Sequence, residues 1–127
     1  MKEIKFRGKS IKTGNWLFGD LVQDLKNNRC AIVPQERVWQ VVDYEVDSES
    51  VGQYTGLKDK NGKEIYEGDI INYYNCVCEW FPQYAQYIFH MGVYVFSFDE
   101  LPQDYIQVIG NIYENPELIG WKTNETN

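Results

Sequence analysis

The sequence predicts a mostly β fold built from antiparallel strands. Apolar and polar residues alternate with a period of two, and turn residues recur about every eight to twelve positions, as in antiparallel sheets. Tyrosine, which favours strands, occurs ten times among the 127 residues. This length and a mean hydropathy of −0.50 are typical of one soluble globular domain that can bury a real core.

The first half of the chain is predicted to hold five strands, separated by turns rich in Gly, Asn and Asp. In order, these strands are Ile4–Arg7, Trp16–Val22, Cys30–Val33, Val38–Val46 and Val51–Leu57. In the second strand, Gly19 indicates a bulge or a close approach of another backbone. Between the fourth and fifth strands, Asp47 is predicted to begin a turn, or a single helical turn that its side chain caps.

The second half opens with the clearest local signal of the chain, Asn61-Gly62. This pair is typical of a two-residue hairpin turn in which both residues take positive φ. Further strands or strand fragments are predicted at Ile70–Tyr74, Cys76–Trp80, Tyr84–Phe89, Val93–Phe98 and Tyr105–Tyr113. Residues 81–92 are expected to form a long hairpin or loop, and Asn115-Pro116 predicts a short terminal helix.

The net charge of −7 is distributed unevenly along the chain. Residues 1–63 hold eleven Lys or Arg and nine Asp or Glu, whereas residues 64–127 hold one Lys and ten acidic residues. The basic side chains concentrate near the amino terminus, at Lys2, Lys5, Arg7, Lys9 and Lys12. We expect sheet pairing to interleave the charges of the two halves; a contact of the basic segment with nucleic acid or a partner is the alternative.

The run Val51–Ile71 resembles the signature segment of the YopX family, small proteins encoded by bacteriophages and prophages. The flanking segments resemble the family too, at Phe6–Lys9, Thr13–Trp16, Phe18–Leu21 and Val108–Leu118. The resemblance covers nearly the whole chain and departs between Tyr73 and Gln103, where Tyr, Phe and Cys are dense.

The resemblance implies an antiparallel sheet with a small SH3-like or barrel-like lobe in the carboxy-terminal half, and a phage or prophage origin. No internal repeat or linker interrupts the sequence, so a single domain over residues 1–127 is predicted, with two intertwined sub-lobes, 1–56 and 57–121, as the alternative. The resemblance carries over no enzymatic activity and no catalytic or binding residues. The signature hairpin and turn are formed by Asn61, Gly62, Glu67, Gly68 and Asp69.

Zinc binding would require Cys30, Cys76, Cys78 and His90 to converge. Structural zinc sites have spacers of about two to four residues in each ligand pair, and this chain has only one close pair. Reduced and buried thiols are therefore the prediction, with no metal and no cofactor.

Acidic residues form two groups that could bind a cation or act as acid and base, Glu67 with Asp69 and the later Asp99, Glu100 and Asp104. Because Asp69 sits in a tight turn, a hydrogen bond from its side chain to the backbone is the prediction. No nucleophile motif and no phosphate-binding loop accompanies these carboxylates, so we expect no enzyme.

The function predicted from the sequence is a non-enzymatic binding or self-assembling module. Ten Tyr and four Trp are more than a core of this size comfortably buries, and such residues are enriched at interfaces. We expect a homo-oligomer, formed by an isologous or head-to-tail contact, or an unknown host or phage protein as partner.

Two alternatives remain open at the level of sequence. One is a single-stranded nucleic-acid-binding protein that uses the basic amino-terminal segment, although the acidic net charge argues against it. The other is a small metal-dependent enzyme. The amino terminus lacks a secretory signal and no apolar run reaches about 20 residues, so a cytoplasmic protein without membrane association is expected.

Overall fold

The computed structural model describes residues 3–36 and 41–123. The chain forms two compact units, Met1–Tyr54 and Thr55–Asn127. The fold is mostly β with antiparallel sheets, which confirms the predicted fold class.

The first unit is an antiparallel sheet with the strand order β4-β3-β2-β1-β5. Its strands are β1 (Phe6–Lys9), β2 (Trp16–Asp24), β3 (Arg29–Val33), β4 (Glu45–Val46) and β5 (Gly52–Lys58), the last of which continues into the second unit. The core of this sheet includes the buried Ile32, Val33 and Val46. The alternating sequences thus form strands close to where they are predicted.

Gly19 marks the point where β2 exchanges one partner strand for another. Phe6 of β1 pairs with Gly19, and the next residue, Asp20, pairs with Val33 of β3. A Cβ atom on Gly19 would lie 2.1 Å from the carbonyl oxygen of Val33. The predicted close approach of backbones is confirmed, because no side chain fits in this space.

The predicted strand over Val38–Val46 is wrong for most of its described part. Val41–Tyr44 form a 3₁₀ helix, and only Glu45 and Val46 pair as a strand, with Cys30 and Ala31 as partners. The remaining part of this prediction, residues 38–40, lies outside the described residues. Apolar residues occur on both parities of this segment, a pattern that a short helical turn satisfies as well as a strand.

A second short 3₁₀ helix, Ser48–Ser50, begins where the sequence predicts a capped turn. The Asp47 carboxylate accepts a hydrogen bond from the backbone N–H of Glu49, with Oδ1 and N 3.1 Å apart. The single helical turn is therefore confirmed, with Asp47 as its cap.

The second unit contains a five-stranded antiparallel sheet of order β10-β9-β8-β7-β11. The five strands of this sheet are β7 (Asp69–Ile71), β8 (Val77–Phe81), β9 (Gln86–Met91), β10 (Tyr94–Phe96) and β11 (Val108–Asn111). The remaining strand, β6 (Glu64–Tyr66), forms a hairpin with β5 and adds a sixth strand to the sheet of order β4-β3-β2-β1-β5. Short 3₁₀ helices lie at Pro82–Tyr84, Phe98–Glu100 and Pro116–Ile119, and α1 covers Gly120–Thr123. The short terminal helix is confirmed. Of the two alternatives predicted for residues 81–92, the hairpin is present, with the 3₁₀ helix Pro82–Tyr84 at its tip and β9 as its returning strand.

The hairpin at Asn61-Gly62 differs from the predicted two-residue turn. Gly62 N–H donates to the Asp59 carbonyl oxygen at 2.9 Å, and of the loop residues Gly62 takes positive φ (80°) whereas Asn61 does not. The loop is therefore a β-turn from Asp59 to Gly62 followed by a left-handed glycine, in which Lys60, Asn61 and Gly62 join the strands. Asp59 at the first position of the turn is the sequence signal for this geometry.

Each face of the five-stranded sheet packs against its own cluster of apolar residues. Cys78 and Phe89 are paired across β8 and β9 and belong to the larger cluster, which also contains Ile65, Ile71, Cys76, Leu101, Ile106 and Val108. Val77 and His90 form the neighbouring pair and face the other way, where Ile70, Val77 and Ile119 make a smaller cluster.

Candidate binding site

A small cavity of about 130 Å³ opens on the face of the second unit that carries the smaller cluster. Its apolar walls include Val77 from β8, Ile112 after β11 and Ile119 before α1. Its polar and aromatic walls are Glu79 from β8, His90 from β9 and Trp121 from α1. The cavity therefore combines a carboxylate, an imidazole and an indole within an apolar frame.

The carboxylate and the imidazole of this cavity are in direct contact. Nε2 of His90 lies 2.6 Å from Oε1 of Glu79, so the tautomer that carries its proton on Nε2 donates to the carboxylate. The His90 side chain is 17% exposed and the Glu79 side chain 46%. His90 therefore orients a carboxylate that remains open to solvent at the mouth of the cavity.

Trp121 is held in place by the turn between β7 and β8. Its indole N–H donates to the Asn75 carbonyl oxygen at 3.2 Å, and the Asn75 side-chain amide donates to the Leu118 carbonyl oxygen at 2.7 Å. The indole meets the His90 ring edge to face, with centroids 5.7 Å apart. The terminal helix is thus fastened to the sheet with the Trp121 ring as a wall of the cavity.

The strand beside the cavity, β10, is the outer strand of the sheet. It pairs with β9 through Tyr94 and Met91, Val95 and His90, and Phe96 and Phe89. On its outer side, no strand of the described chain pairs with it. Val93, Tyr94 and Val95 are exposed to 87%, 64% and 38%. The unit therefore presents three consecutive apolar or aromatic residues at an open sheet edge.

A cluster of aromatic residues lies at the tip of the β8–β9 hairpin. Phe81 and Tyr84 are stacked with centroids 5.9 Å apart, and Trp80 meets Tyr87 edge to face at 5.0 Å. Burial, followed by the negative charge of Glu67, raises the pKa of the Tyr87 hydroxyl to about 12. Trp80 and Tyr84 remain 42% and 62% exposed, so part of the aromatic surplus predicted from composition is on the surface.

The basic residues predicted to contact nucleic acid or a partner are engaged within the first unit. Arg7 is buried, with its guanidinium 4.9 Å from the centre of the Trp16 ring, and Lys9 approaches the same ring at 5.9 Å. Lys5 lies 3.4 Å from the Glu3 carboxylate and Lys12 lies 3.3 Å from that of Asp43. Lys2 lies outside the described residues. The four basic residues that the structure describes therefore do not form one open cationic surface.

The signature turn residues hold the second unit together. The buried Asp69 carboxylate accepts the backbone N–H of Tyr66 at 2.7 Å, the side-chain-to-backbone bond expected from turn chemistry. Gly68 N–H donates to the Cys78 carbonyl oxygen at 2.8 Å. Glu67 is half-buried, Asn61 and Gly62 are exposed in the hairpin loop, and none of these residues lines the cavity.

The residues of the hypothetical zinc set do not converge. Cys76 and Cys78 are buried in the larger cluster, where burial raises the pKa of the Cys76 thiol to about 11. His90 faces the opposite side of the sheet from Cys78, and Cys30 belongs to the first unit. Among the described residues, no group of three or more His, Cys, Asp or Glu side chains is placed to hold a metal ion.

Of the later carboxylates, Asp99, Glu100 and Asp104, one caps a short helix. Glu100 accepts the Ser97 backbone N–H at 2.8 Å, which caps the 3₁₀ helix Phe98–Glu100. Asp99 and Asp104 are exposed, and neither lines the cavity. The three acidic residues therefore do not assemble a catalytic pair in the cavity.

From the sequence, His90 is predicted only as a candidate metal ligand, and neither Glu79 nor Trp121 is predicted at a site. The contact between Glu79 and His90 follows from the register of the β8–β9 hairpin. Val77 is paired with His90, and Glu79, two residues after Val77, lies on the same face of the sheet. Trp121 reaches the cavity only because the terminal helix folds back on the sheet. No local pattern in the sequence predicts such a long-range contact.

Comparisons with known proteins agree with the fold. The crystal structure of protein EF1440 from Enterococcus faecalis is similar, with a TM-score of 0.64 and 26% sequence identity, over 94% of this chain and 99% of that one. No curated protein matches the chain significantly. In the part of the chain that is described, none of the helices has the length and apolar character needed to cross a membrane. The family model for the YopX protein matches residues 5–120, and the chain therefore belongs to the YopX family.

Proposed function

We propose that this protein is a non-enzymatic phage or prophage accessory protein that acts in the bacterial cytoplasm as a self-assembling module. The observation that carries the proposal is the open, apolar edge of β10. The exposed aromatic cluster of the β8–β9 hairpin adds contact surface of the composition that interfaces favour.

The β10 edge is short, at three residues, but it lacks the charge and the proline that often keep sheet edges monomeric. Residues 92–98 contain no charged residue and no proline, and Val93, Tyr94 and Val95 are exposed. A second strand can therefore add to this edge by ordinary backbone hydrogen bonds.

A second copy of the chain is the proposed occupant of this edge. Two β10 strands that pair antiparallel about a twofold axis form a closed, isologous contact that does not propagate into fibres. Tyr94 and Val95 point to opposite faces of the strand, so such pairing would bury an aromatic residue on one face and a β-branched residue on the other.

The test is the mass in solution of the whole chain and of two Tyr→Lys variants, measured by light scattering. Tyr94→Lys places a charge on the edge, whereas Tyr105→Lys makes the same change at another exposed tyrosine (53% exposed) outside the sheet. We expect a mass that is a multiple of 15.0 kDa for the wild type and Tyr105→Lys, and 15.0 kDa for Tyr94→Lys.

Two outcomes would contradict self-assembly through β10. A wild-type mass of 15.0 kDa at every concentration would exclude self-assembly. If Tyr94→Lys and Tyr105→Lys were monomeric to the same degree, the contact between copies would lie outside β10.

Binding of single-stranded nucleic acid is not proposed, because the described cations of the amino-terminal segment contact acidic or aromatic side chains of their own unit.

A further inference from the structure

We propose that Asn61 is a site of self-modification, at which the backbone nitrogen of Gly62 converts the asparagine side chain into aspartate or isoaspartate. The Asp59 carboxylate suppresses this deamidation while the second unit is folded. The proposal goes beyond self-assembly and does not depend on it. It rests on the Asn-Gly dipeptide, on the exposure of the hairpin loop and on the hydrogen bonds that hold the Gly62 nitrogen.

The reaction needs only the chain and water. A solvent base removes the proton of the Gly62 N–H, and the nitrogen lone pair attacks the side-chain carbonyl carbon (Cγ) of Asn61. The new N–C bond closes a five-membered imide as the bond from Cγ to the side-chain nitrogen breaks, and this nitrogen takes up a proton and leaves as ammonia. Water then opens the imide at either of its two carbonyl carbons, which yields aspartate or isoaspartate and restores a backbone N–H.

The sequence and the exposure of the loop suit this reaction. Asn61-Gly62 is the only Asn-Gly pair in the chain, and glycine has no side chain to obstruct the attack of its own nitrogen. Asn61 and Gly62 are exposed, as are Lys60 and Lys63 on either side, so water and base reach the loop. A Cβ atom added to Gly62 would meet nothing within 4 Å. Packing therefore does not shield the loop.

Hydrogen bonds hold the loop away from the reaction. The Gly62 N–H, which must lose its proton, donates to the Asp59 carbonyl oxygen at 2.9 Å. Oδ1 of Asp59 accepts the backbone N–H groups of Asn61 and Lys63 at 2.8 and 3.0 Å, and so fixes the residues on both sides of Gly62. Deprotonation of Gly62 breaks the first bond, and the other two restrain the residues that must rotate to close the imide. The reaction therefore proceeds from an opened loop.

The isoaspartate product cannot rebuild the same contacts. It adds one carbon atom to the backbone between positions 61 and 62, so the spacing that lets Asp59 Oδ1 accept from both Asn61 and Lys63 is lost. The other oxygen of the same carboxylate accepts the Val108 N–H of β11. Deamidation is therefore expected to loosen the attachment of the hairpin loop to β11, and the modified chain should melt at a lower temperature than the unmodified one.

The experiment measures the rate of deamidation at Asn61 in the whole chain at mildly alkaline pH, folded in buffer and unfolded in guanidinium chloride. Peptide mapping by mass spectrometry detects the exchange of an amide for a carboxyl group at each asparagine, and isoaspartyl methyltransferase labels the isoaspartate product. In the unfolded chain, we expect Asn61 to react faster than every other asparagine. In the folded chain its rate should be at least about tenfold lower, because opening of the loop costs several hydrogen bonds.

Variants of Asp59 separate its role from that of overall stability. Asp59→Ala removes the carboxylate, and Asp59→Ser, which keeps a hydroxyl at a turn position that serine favours, is the milder change. Gly19→Ala is the control, because it disturbs the first unit and leaves the loop intact. At a temperature where thermal melts show the variants to be folded, we expect the Asp59 variants to deamidate about tenfold faster than the wild type, and Gly19→Ala to match the wild type.

Three results would overturn the proposal. One is an equal rate at Asn61 in the folded and the unfolded wild type, a comparison that needs no variant to fold. Another is faster reaction at a different asparagine of the unfolded chain. The third is a rate at Asn61 in the folded Asp59 variants that equals the rate in the wild type or in Gly19→Ala.

Discussion

At the scale of the residue, the buried Asp59 carboxylate accepts three backbone hydrogen bonds in the second unit. Its Oδ1 accepts the backbone N–H groups of Asn61 and Lys63 at 2.8 and 3.0 Å, and its Oδ2 accepts that of Val108 at 3.0 Å. The residue is 7% exposed. One carboxylate therefore closes the hairpin loop and ties it to β11.

Replacement of Asp59 by Asn should destabilise the protein, because an amide has only one acceptor oxygen for donors that approach both ends of the group. One buried N–H would lose its partner, which costs about 1–3 kcal/mol. Asp104→Asn makes the same substitution at an exposed position and should leave the free energy of unfolding unchanged. Urea unfolding at neutral pH measures both, and equal stability of Asp59→Asn and the wild type would contradict the role given to Asp59.

The same carboxylate predicts a dependence of stability on pH. Burial alone would raise the pKa of Asp59, but the hydrogen bonds from Val108, Lys63 and Asn61 outweigh it and lower the pKa below 3.8. A lowered pKa in the folded state contributes stability above the unfolded pKa, and this contribution is lost as the pH falls through the folded pKa. The difference in stability between wild type and Asp59→Asn should therefore shrink below about pH 4.

At the scale of the element, the most accurately predicted strands are those bounded by clear turn residues. Trp16–Val22 and Cys30–Val33 coincide with β2 and β3 to within about two residues, an ordinary boundary difference. Val38–Val46 failed because its apolar residues occupy both parities, and such a run does not distinguish a strand from a helical turn. The cavity was not predictable, since it depends on hairpin register and on the return of α1 to the sheet.

The junction of β1, β2 and β3 offers a test at this scale. Gly19→Ala would place a Cβ atom 2.1 Å from the Val33 carbonyl oxygen, which is backbone and cannot turn away. We expect the β2–β3 pairing to be disrupted and the protein destabilised by at least about 1–3 kcal/mol. Gly120→Ala is the control, because nothing lies within 4 Å of its added Cβ. Thermal unfolding measures the melting temperature of both variants. If Gly19→Ala melted at the same temperature as Gly120→Ala, the strands would accommodate the added Cβ atom with little loss of stability.

At the scale of the whole molecule, the negative charge belongs to one unit. Residues 1–54 contain eight basic and eight acidic residues, whereas residues 55–127 contain four basic and eleven acidic ones. Copies that associate through the second unit therefore bring like charges together. Added salt screens this repulsion, because the Debye length falls from about 30 Å at 0.01 M to about 8 Å at 0.15 M.

Self-association should consequently become stronger as the salt concentration rises over this range. Sedimentation or light scattering at both ionic strengths measures the change in the dissociation constant of the wild type, and Tyr105→Lys serves as the associating control. If salt weakened the association instead, a head-to-tail contact of basic and acidic surfaces would replace the β10 pairing.

The bond between Asp59 and Val108 also sets the order of events during synthesis. The two residues are 49 positions apart, so at about 5–20 residues per second the ribosome needs roughly 2–10 s to deliver the second after the first. During this interval the Asp59 carboxylate cannot accept the hydrogen bond from Val108. The second unit can complete its hydrogen bonding only after β11 has been made, so its final folding is a late event in the life of each new chain.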